Sequence, residues 1–305
     1  MINDLEISDI PGVLSGDQIG FLDPHEAYFT NKEGKGPAKK TSSYAFKVHS
    51  DENKHLTHQF EPFKHELFGA QNIERERFDG TLFRFPLRQV HTPSELSPNL
   101  YGDSKIRELF SMFESEAHSF LLFLNNVEKI ELYEKGSQHQ KPRRLLTVKI
   151  ADQCLQQVRA ARKELKQKIK HSAKAGKWHD SSEHVSYGMT VELISHNTER
   201  DDVTVTSKHW LVTQYYAGGQ GSPRLKKLVG DSNTRYLPWV GVALPLQEAG
   251  SCEPQGQVFC FLPLPATKRG ATGFHFHVNG YFAVSQNRSV LTSTACLKCF
   301  SLTVT

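Results

Sequence analysis

Between residues 152 and 174 the apolar side chains Leu155, Val158, Ala161, Leu165 and Ile169 recur every three or four positions, the period that gathers them on one stripe of an α-helix. Such a helix must bury its stripe on a neighbouring surface. The runs that follow, at 187–195, 209–216, 237–246, 258–264 and 274–284, are apolar, β-branched or aromatic, and turn-rich segments separate them. They read as strands. Residues 145–150 add one more strand just before the helix, so the second half of the chain is mostly sheet with one long helix. The opposite face of that helix is basic, carrying Arg159, Arg162, Lys163, Lys166 and Lys170.

The first half is punctuated differently. Ile10-Pro11-Gly12, Ser15-Gly16-Asp17 and Asp23-Pro24-His25 break it into short apolar pieces such as 19–22, which predicts strands and turns without an independent helix in the first forty residues. Residues 31–41 are rich in Lys and Gly and predict an exposed loop. Asp79-Gly80 predicts a turn before a short strand from Leu82 that ends at Pro86. Ile106, Leu109, Phe110 and Phe113 fall at helical spacing behind Asp103 or Ser104 as cap, and Val127, Ile130, Leu132 and Tyr133 predict a strand. A polar break at 136–142 then places the boundary between two modules, 1–135 and 136–288.

Several classes of protein are excluded on simple grounds. At 305 residues and 38% hydrophobic the chain can bury a core in two domains, and no run of eighteen apolar residues could cross a membrane as a helix. The first six residues show no basic and apolar leader, which predicts a cytoplasmic location. Five cysteines, odd in number and unevenly placed, do not form a disulfide framework. Net charge of +4 is small enough for one cluster to supply, so the helix face from Arg159 to Lys177 is where a charged partner would have to dock.

Few constellations suggest chemistry. The basic helix face could hold a phosphate backbone, yet no aromatic interleaves with it before Trp178, and a plainly solvated face explains it as well. His275 and His277 share one face of the last predicted strand, and Cys296 and Cys299 have thiolate-pair spacing, but the four do not match a zinc-site spacing. No metal site is predicted. Asp23 beside His25 reads as a turn former. Gly218 to Gly221 lacks the residues of a phosphate cradle, and no nucleophile elbow, Walker loop or dinucleotide fingerprint occurs, so no catalytic residue is predicted.

Three longer segments carry a resemblance: Ser15-Gly16-Asp17-Gln18-Ile19-Gly20-Phe21-Leu22-Asp23-Pro24-His25-Glu26, then Phe78-Asp79-Gly80-Thr81-Leu82-Phe83-Arg84-Phe85-Pro86-Leu87-Arg88, then Val278-Asn279-Gly280-Tyr281-Phe282-Ala283-Val284-Ser285-Gln286-Asn287-Arg288. In order and separation they resemble the sacsin family, in its repeated module related to the ninety-kilodalton heat-shock chaperone. The resemblance implies an α+β fold: the C-terminal part of a GHKL (Bergerat-type) ATPase domain at 1–135, then a mixed α/β module like the chaperone's middle domain at 136–288. Gly80 and Thr81 look like the Gly-Thr that lies beside the adenine pocket. The family's magnesium- and phosphate-binding helix and glycine-rich lid lie upstream of the Ser-Gly-Asp segment, so the expectation is that ATP and magnesium belong to the complete module and that this chain holds no cofactor. Residues 289–305 resemble nothing in the family and are expected to be a foreign tail.

The function this implies is that of a co-chaperone fragment in protein folding and quality control, acting by protein contact. Its implied partners are client proteins, cytoskeletal filaments and the seventy-kilodalton chaperone system. The competing class is a nucleic-acid-binding module using the basic helix 159–177; a third is an ATPase completed by a separate upstream polypeptide.

Overall fold

The computed structural model describes residues 8–25, 43–48, 57–64, 69–73, 75–88, 94, 96–135, 141–174, 182–197, 202–217, 238–246, 256–264, 271–280 and 282. The chain divides into two compact units between residues 110 and 111. In the first unit, β1 (Gly12–Gly16), β2 (Gln18–Leu22), β3 (Ser43–Lys47) and β4 (Phe78–Arg84) form an antiparallel sheet in the order β3-β2-β1-β4. Alternation sorts its faces. Leu14, Ile19, Phe21 and Tyr44 point to one side and are buried with Phe60, Phe63 and Ile73. The other side presents Val13, Gly20, Leu22 and Phe83, with Leu22 and Phe83 exposed.

A buried ion pair ties the start of this unit to the segment that follows β4. The Arg88 Nε donates to Asp9 Oδ1 at 2.7 Å, and the Ser94 hydroxyl donates to the same oxygen at 2.6 Å. The helix α1 (Asp103–Phe120) runs through the division between the units, and its most deeply buried residues, Ala117, His118 and Ser119, are at its C-terminal end.

The second unit is built on an eight-stranded sheet. Its strands are β5 (Lys129–Glu134), β6 (Arg143–Ile150), β7 (Glu183–Asn197), β8 (Asp202–Tyr216), β9 (Trp239–Pro245), β10 (Val258–Cys260), β11 (Leu262–Pro263) and β12 (His277–Gly280), in the order β11-β10-β12-β9-β8-β7-β6-β5. All neighbours are antiparallel except β10 and β12. The helix α2 (Asp152–Lys174) lays Val158, Ala161 and Leu165 into one core with Val148, Ile150, Val185, Tyr187, Met189 and Val191 of β6 and β7. Each fully buried Val or Leu contributes about 2 kcal/mol relative to exposure. Further along the sheet Phe123 packs edge-on to Phe259, with ring centroids 5.1 Å apart. Gly241 makes room for that ring, since a Cβ there would lie 2.9 Å from Phe123.

The long helix spans the residues its periodicity predicts, and the α+β class holds. Three sequence readings change. The predicted module boundary at 135/136 falls in the connection between β5 and β6, which are neighbouring strands of one sheet, whereas the compact units divide at 110/111. Asp79-Gly80 lies within β4 and not in a turn before it: Gly16 is opposite Phe78 and Ser15 opposite Thr81, so Asp79 and Gly80 are extra residues bulged out of the ladder. β7 and β8 run 15 residues each, beyond the predicted 187–195 and 209–216, because their outer ends are polar and carry little core. No described helix is long and apolar enough to cross a membrane.

Candidate functional site

The bulge in β4 is what shapes the site around Gly80 and Thr81. Gly80 sits at φ 155° and Gly16 at φ 63°, both in the range that favours glycine, so the two chains can separate there and reclose at Ser15 and Thr81. Sixty-six residues apart in sequence, the hydroxyls of Ser15 and Thr81 lie 3.0 Å from each other, and Ser15 Oγ also donates to the Gly80 carbonyl at 3.3 Å. Ser15, Gly16, Arg77, Phe78, Asp79 and Gly80 line an open cleft of about 340 Å³. Two of the three segments that carry the family resemblance therefore meet here. Spacing alone gave no reason to join Ser15, Gly16 and Arg77 to Gly80 and Thr81; only the strand register does that.

The chemistry of this cleft is modest. It offers one guanidinium, one carboxylate and the Ser15 hydroxyl, which already engages that of Thr81, a set that suits a small polar group. A magnesium triphosphate requires several oxygen ligands for the metal and an array of backbone amides for the phosphates. Among the described residues, those lining the cleft do not supply that set.

Three of the five cations on the basic face of α2 are engaged within the molecule, although only Arg162 among them is buried. Arg159 forms a two-pronged pair with Glu128, its Nε donating to Oε1 at 2.7 Å and its Nη2 to Oε2 at 2.6 Å. That pairing holds the Glu128 carboxyl below its ordinary value and raises Arg159. Arg162, only 5% exposed, reaches the backbone: Nη2 donates to the Leu121 carbonyl at 2.8 Å and Nη1 to the Val127 carbonyl at 3.4 Å. Lys166 donates to Asn126 Oδ1 at 2.7 Å. Three cations of the face thus fasten the helix to residues 121–128. Lys168 pairs with Glu164 and Glu183, which raises its pKa. Lys163 and Lys170 are exposed and carry no hydrogen bond or ion pair among the described residues.

The two histidines of the last strand have separate environments. His275 lies exposed in the bend before β12. His277 is buried, its ring 5.2 Å from those of both Trp210 and Phe259, and its Nδ1 accepts the Gln257 N–H at 2.9 Å. Burial and the nearby Lys208 ammonium lower its pKa to about 4, so at neutral pH the ring is an uncharged core group. Asp23 is fully buried. Among the described residues no three His, Cys, Asp or Glu side chains cluster to hold a metal. The loop at 31–41, the glycines at 218–221, Lys177 and the Cys296/Cys299 pair lie outside the described residues, as does the tail 289–305.

Comparison with known proteins bears on the same segments. A family model described as the Sacsin domain matches residues 5–147, which includes both arms of the cleft. Sacsin from Homo sapiens is 33% identical over 310 aligned residues, covering 92% of this chain and 6% of sacsin itself.

Proposed function

From the premise that the chain belongs to the sacsin family, with a Sacsin domain at residues 5–147, we propose that it is a co-chaperone module that works by contact with other proteins and has no ATP site of its own. The chain spans 6% of the relative it matches, so clients, cytoskeletal filaments and the seventy-kilodalton chaperone system as partners, and the cytoplasm as location, are part of this proposal. One observation carries it: three of the five cations of the basic helix face are engaged by the chain itself, while several large apolar groups stand exposed. Arg159, Arg162 and Lys166 bind residues 121–128 of the same chain. Phe83 and Phe274 meanwhile stand 60% and 58% exposed, and Leu211 lies opposite Leu244 on the solvent face of the large sheet. Apolar groups displayed on a sheet face are what protein partners use.

The same observation disfavours nucleic acid, which needs free cations in a row. The test is suppression of aggregation of a thermally unfolding reporter enzyme by the purified chain, with and without ATP and magnesium. Suppression independent of nucleotide is expected, together with no heat of ATP binding by calorimetry. A steep salt-dependent affinity for DNA or RNA without suppression would replace this reading.

A further inference from the structure

The solvent side of α2 carries a row of like charges. Arg159, Lys163, Lys166 and Lys170 follow one another at spacings of three or four residues, which places them on one stripe of the helix, away from the core positions Val158, Ala161 and Leu165. All four are exposed, and Arg162 lies buried at the border of the stripe. A cation held by a hydrogen bond is not thereby neutralised. Arg162 meets two backbone carbonyls and Lys166 a neutral amide, while Lys163 and Lys170 have no hydrogen bond or ion pair among the described residues. The carboxylate beside this row, Glu128, is bound to Arg159, and Glu164 is turned to Lys168. Five cations therefore stand against one carboxylate among the described residues. Like charges three and four residues apart repel on a helix, so the stripe weakens α2 as it stands, and an anion laid along it would relieve that repulsion.

We propose that the stripe Lys163, Lys166 and Lys170 docks an acidic segment of a partner polypeptide, a run of glutamate or aspartate side chains lying along α2. This rests on the protein-contact part of the reading above and gives that contact a place and a sign. The dimensions of the stripe select its occupant. From Lys163 to Lys170 it is about 10 Å long, which roughly three or four residues of an extended chain span. That leaves too few ammonium groups for the phosphate rail of a duplex, whose binding commonly rests on roughly six to ten contacts. A single nucleic-acid strand would need rings on which to stack its bases, and residues 159–170 include no aromatic side chain. Lysine ammonium groups on flexible stems ask only for negative charge at close range, which the carboxylates of a short acidic peptide provide.

The test uses the full chain and a rhodamine-labelled hexaglutamate peptide, read by fluorescence anisotropy at low salt. Binding is expected and weakens steeply as salt is raised, while the matching hexaglutamine peptide does not bind; these arms leave the protein untouched. Lys163→Glu combined with Lys170→Glu weakens the binding by at least about tenfold. Both side chains are exposed, and an unchanged circular dichroism spectrum checks that the variant folds. The same change of net charge placed at the exposed Lys135 and Lys141 leaves the affinity within about twofold. Equal losses in the two variants would show attraction to net charge without a site and overturn the proposal, as would no binding at all or equal binding of the glutamine peptide. Oligouridylate of equal charge that displaces the peptide at lower concentration than free hexaglutamate does reassigns the stripe to phosphate and overturns it too. Aggregation suppression by the same preparations separates the two readings. Suppression without peptide binding removes this docking site and leaves the co-chaperone module, whereas peptide binding without suppression keeps the site and removes the chaperone role.

Discussion

Arg162 shows how a charged side chain can be structural. Its buried guanidinium donates to the Leu121 and Val127 carbonyls. Arg162→Met keeps the stem but strands those acceptors, and should cost about 1–3 kcal/mol in urea unfolding. Lys163→Met, one position on and exposed, should stay within about 0.5 kcal/mol. If both substitutions were equally mild, the inward use of the basic face would be wrong. A sequence cannot separate these neighbours, because both sit on the border of the apolar stripe and only the segment 121–128 lying beside the helix decides which one turns inward. His277 makes a second case. Its pKa of about 4 lies below the ordinary histidine value of 6.5, so between those two pH values the unfolded chain binds a proton that the folded chain refuses. The stability this implies is fully present above pH 6.5 and is lost as the pH falls towards 4. At about 1.4 kcal/mol per unit the loss is on the order of 3 kcal/mol. His118, lowered by burial and by Lys208, adds in the same direction. His277→Asn, whose amide oxygen can still accept the Gln257 N–H, should flatten the urea midpoint between pH 6.5 and 4. An unchanged slope would move the acid sensitivity to another group.

At the scale of elements, the long helix was legible and the bulge was not, for one physical reason each. Residues 152–174 carry their own period over many turns, so no partner is needed to recognise them. Asp-Gly has the same backbone freedom in a hairpin turn and in a bulge; what distinguishes them is the strand opposite, here β1, more than sixty residues away. The family resemblance pointed to Gly80 and Thr81, but it could not say that Ser15 closes the cleft over them. The bulge makes a prediction of its own. With Gly80 at φ 155° and the Phe78 ring 3.3 Å from where its Cβ would stand, Gly80→Ala should destabilise the first unit by about 1–3 kcal/mol. It should also disturb the Ser15–Thr81 contact, visible as shifted amide resonances at both residues. Gly102, with open space around its Cβ position, is the control: it caps α1, its carbonyl accepting the Ile106 N–H, so Gly102→Ala should cost less than about 1 kcal/mol. Equal effects at the two glycines would mean that the bulge carries no strain.

The whole molecule is two units with separate cores, and that has a consequence in unfolding. The core of residues 111–305 joins α2 to five strands, β6 to β10, whereas that of 2–110 rests on a four-stranded sheet and short helical turns. Hydrophobic stabilisation grows with the apolar surface buried, so the first unit should melt before the second. The sequence supplies the reporter: Trp178, Trp210 and Trp239 all belong to the second unit. Tryptophan emission should therefore follow only the later transition in urea, while far-ultraviolet circular dichroism follows both. Arg88 supplies the lever. Its side chain is 2% exposed and its partner Asp9 5%, so Arg88→Met leaves a buried carboxylate without its cation. Removing one partner of such a pair costs about 3–5 kcal/mol. The early dichroism transition should fall sharply in that variant, with the tryptophan midpoint unmoved. A tryptophan midpoint that follows the dichroism change would show that the two cores unfold as one cooperative body, and the division at 110/111 would then be a feature of geometry without a thermodynamic counterpart.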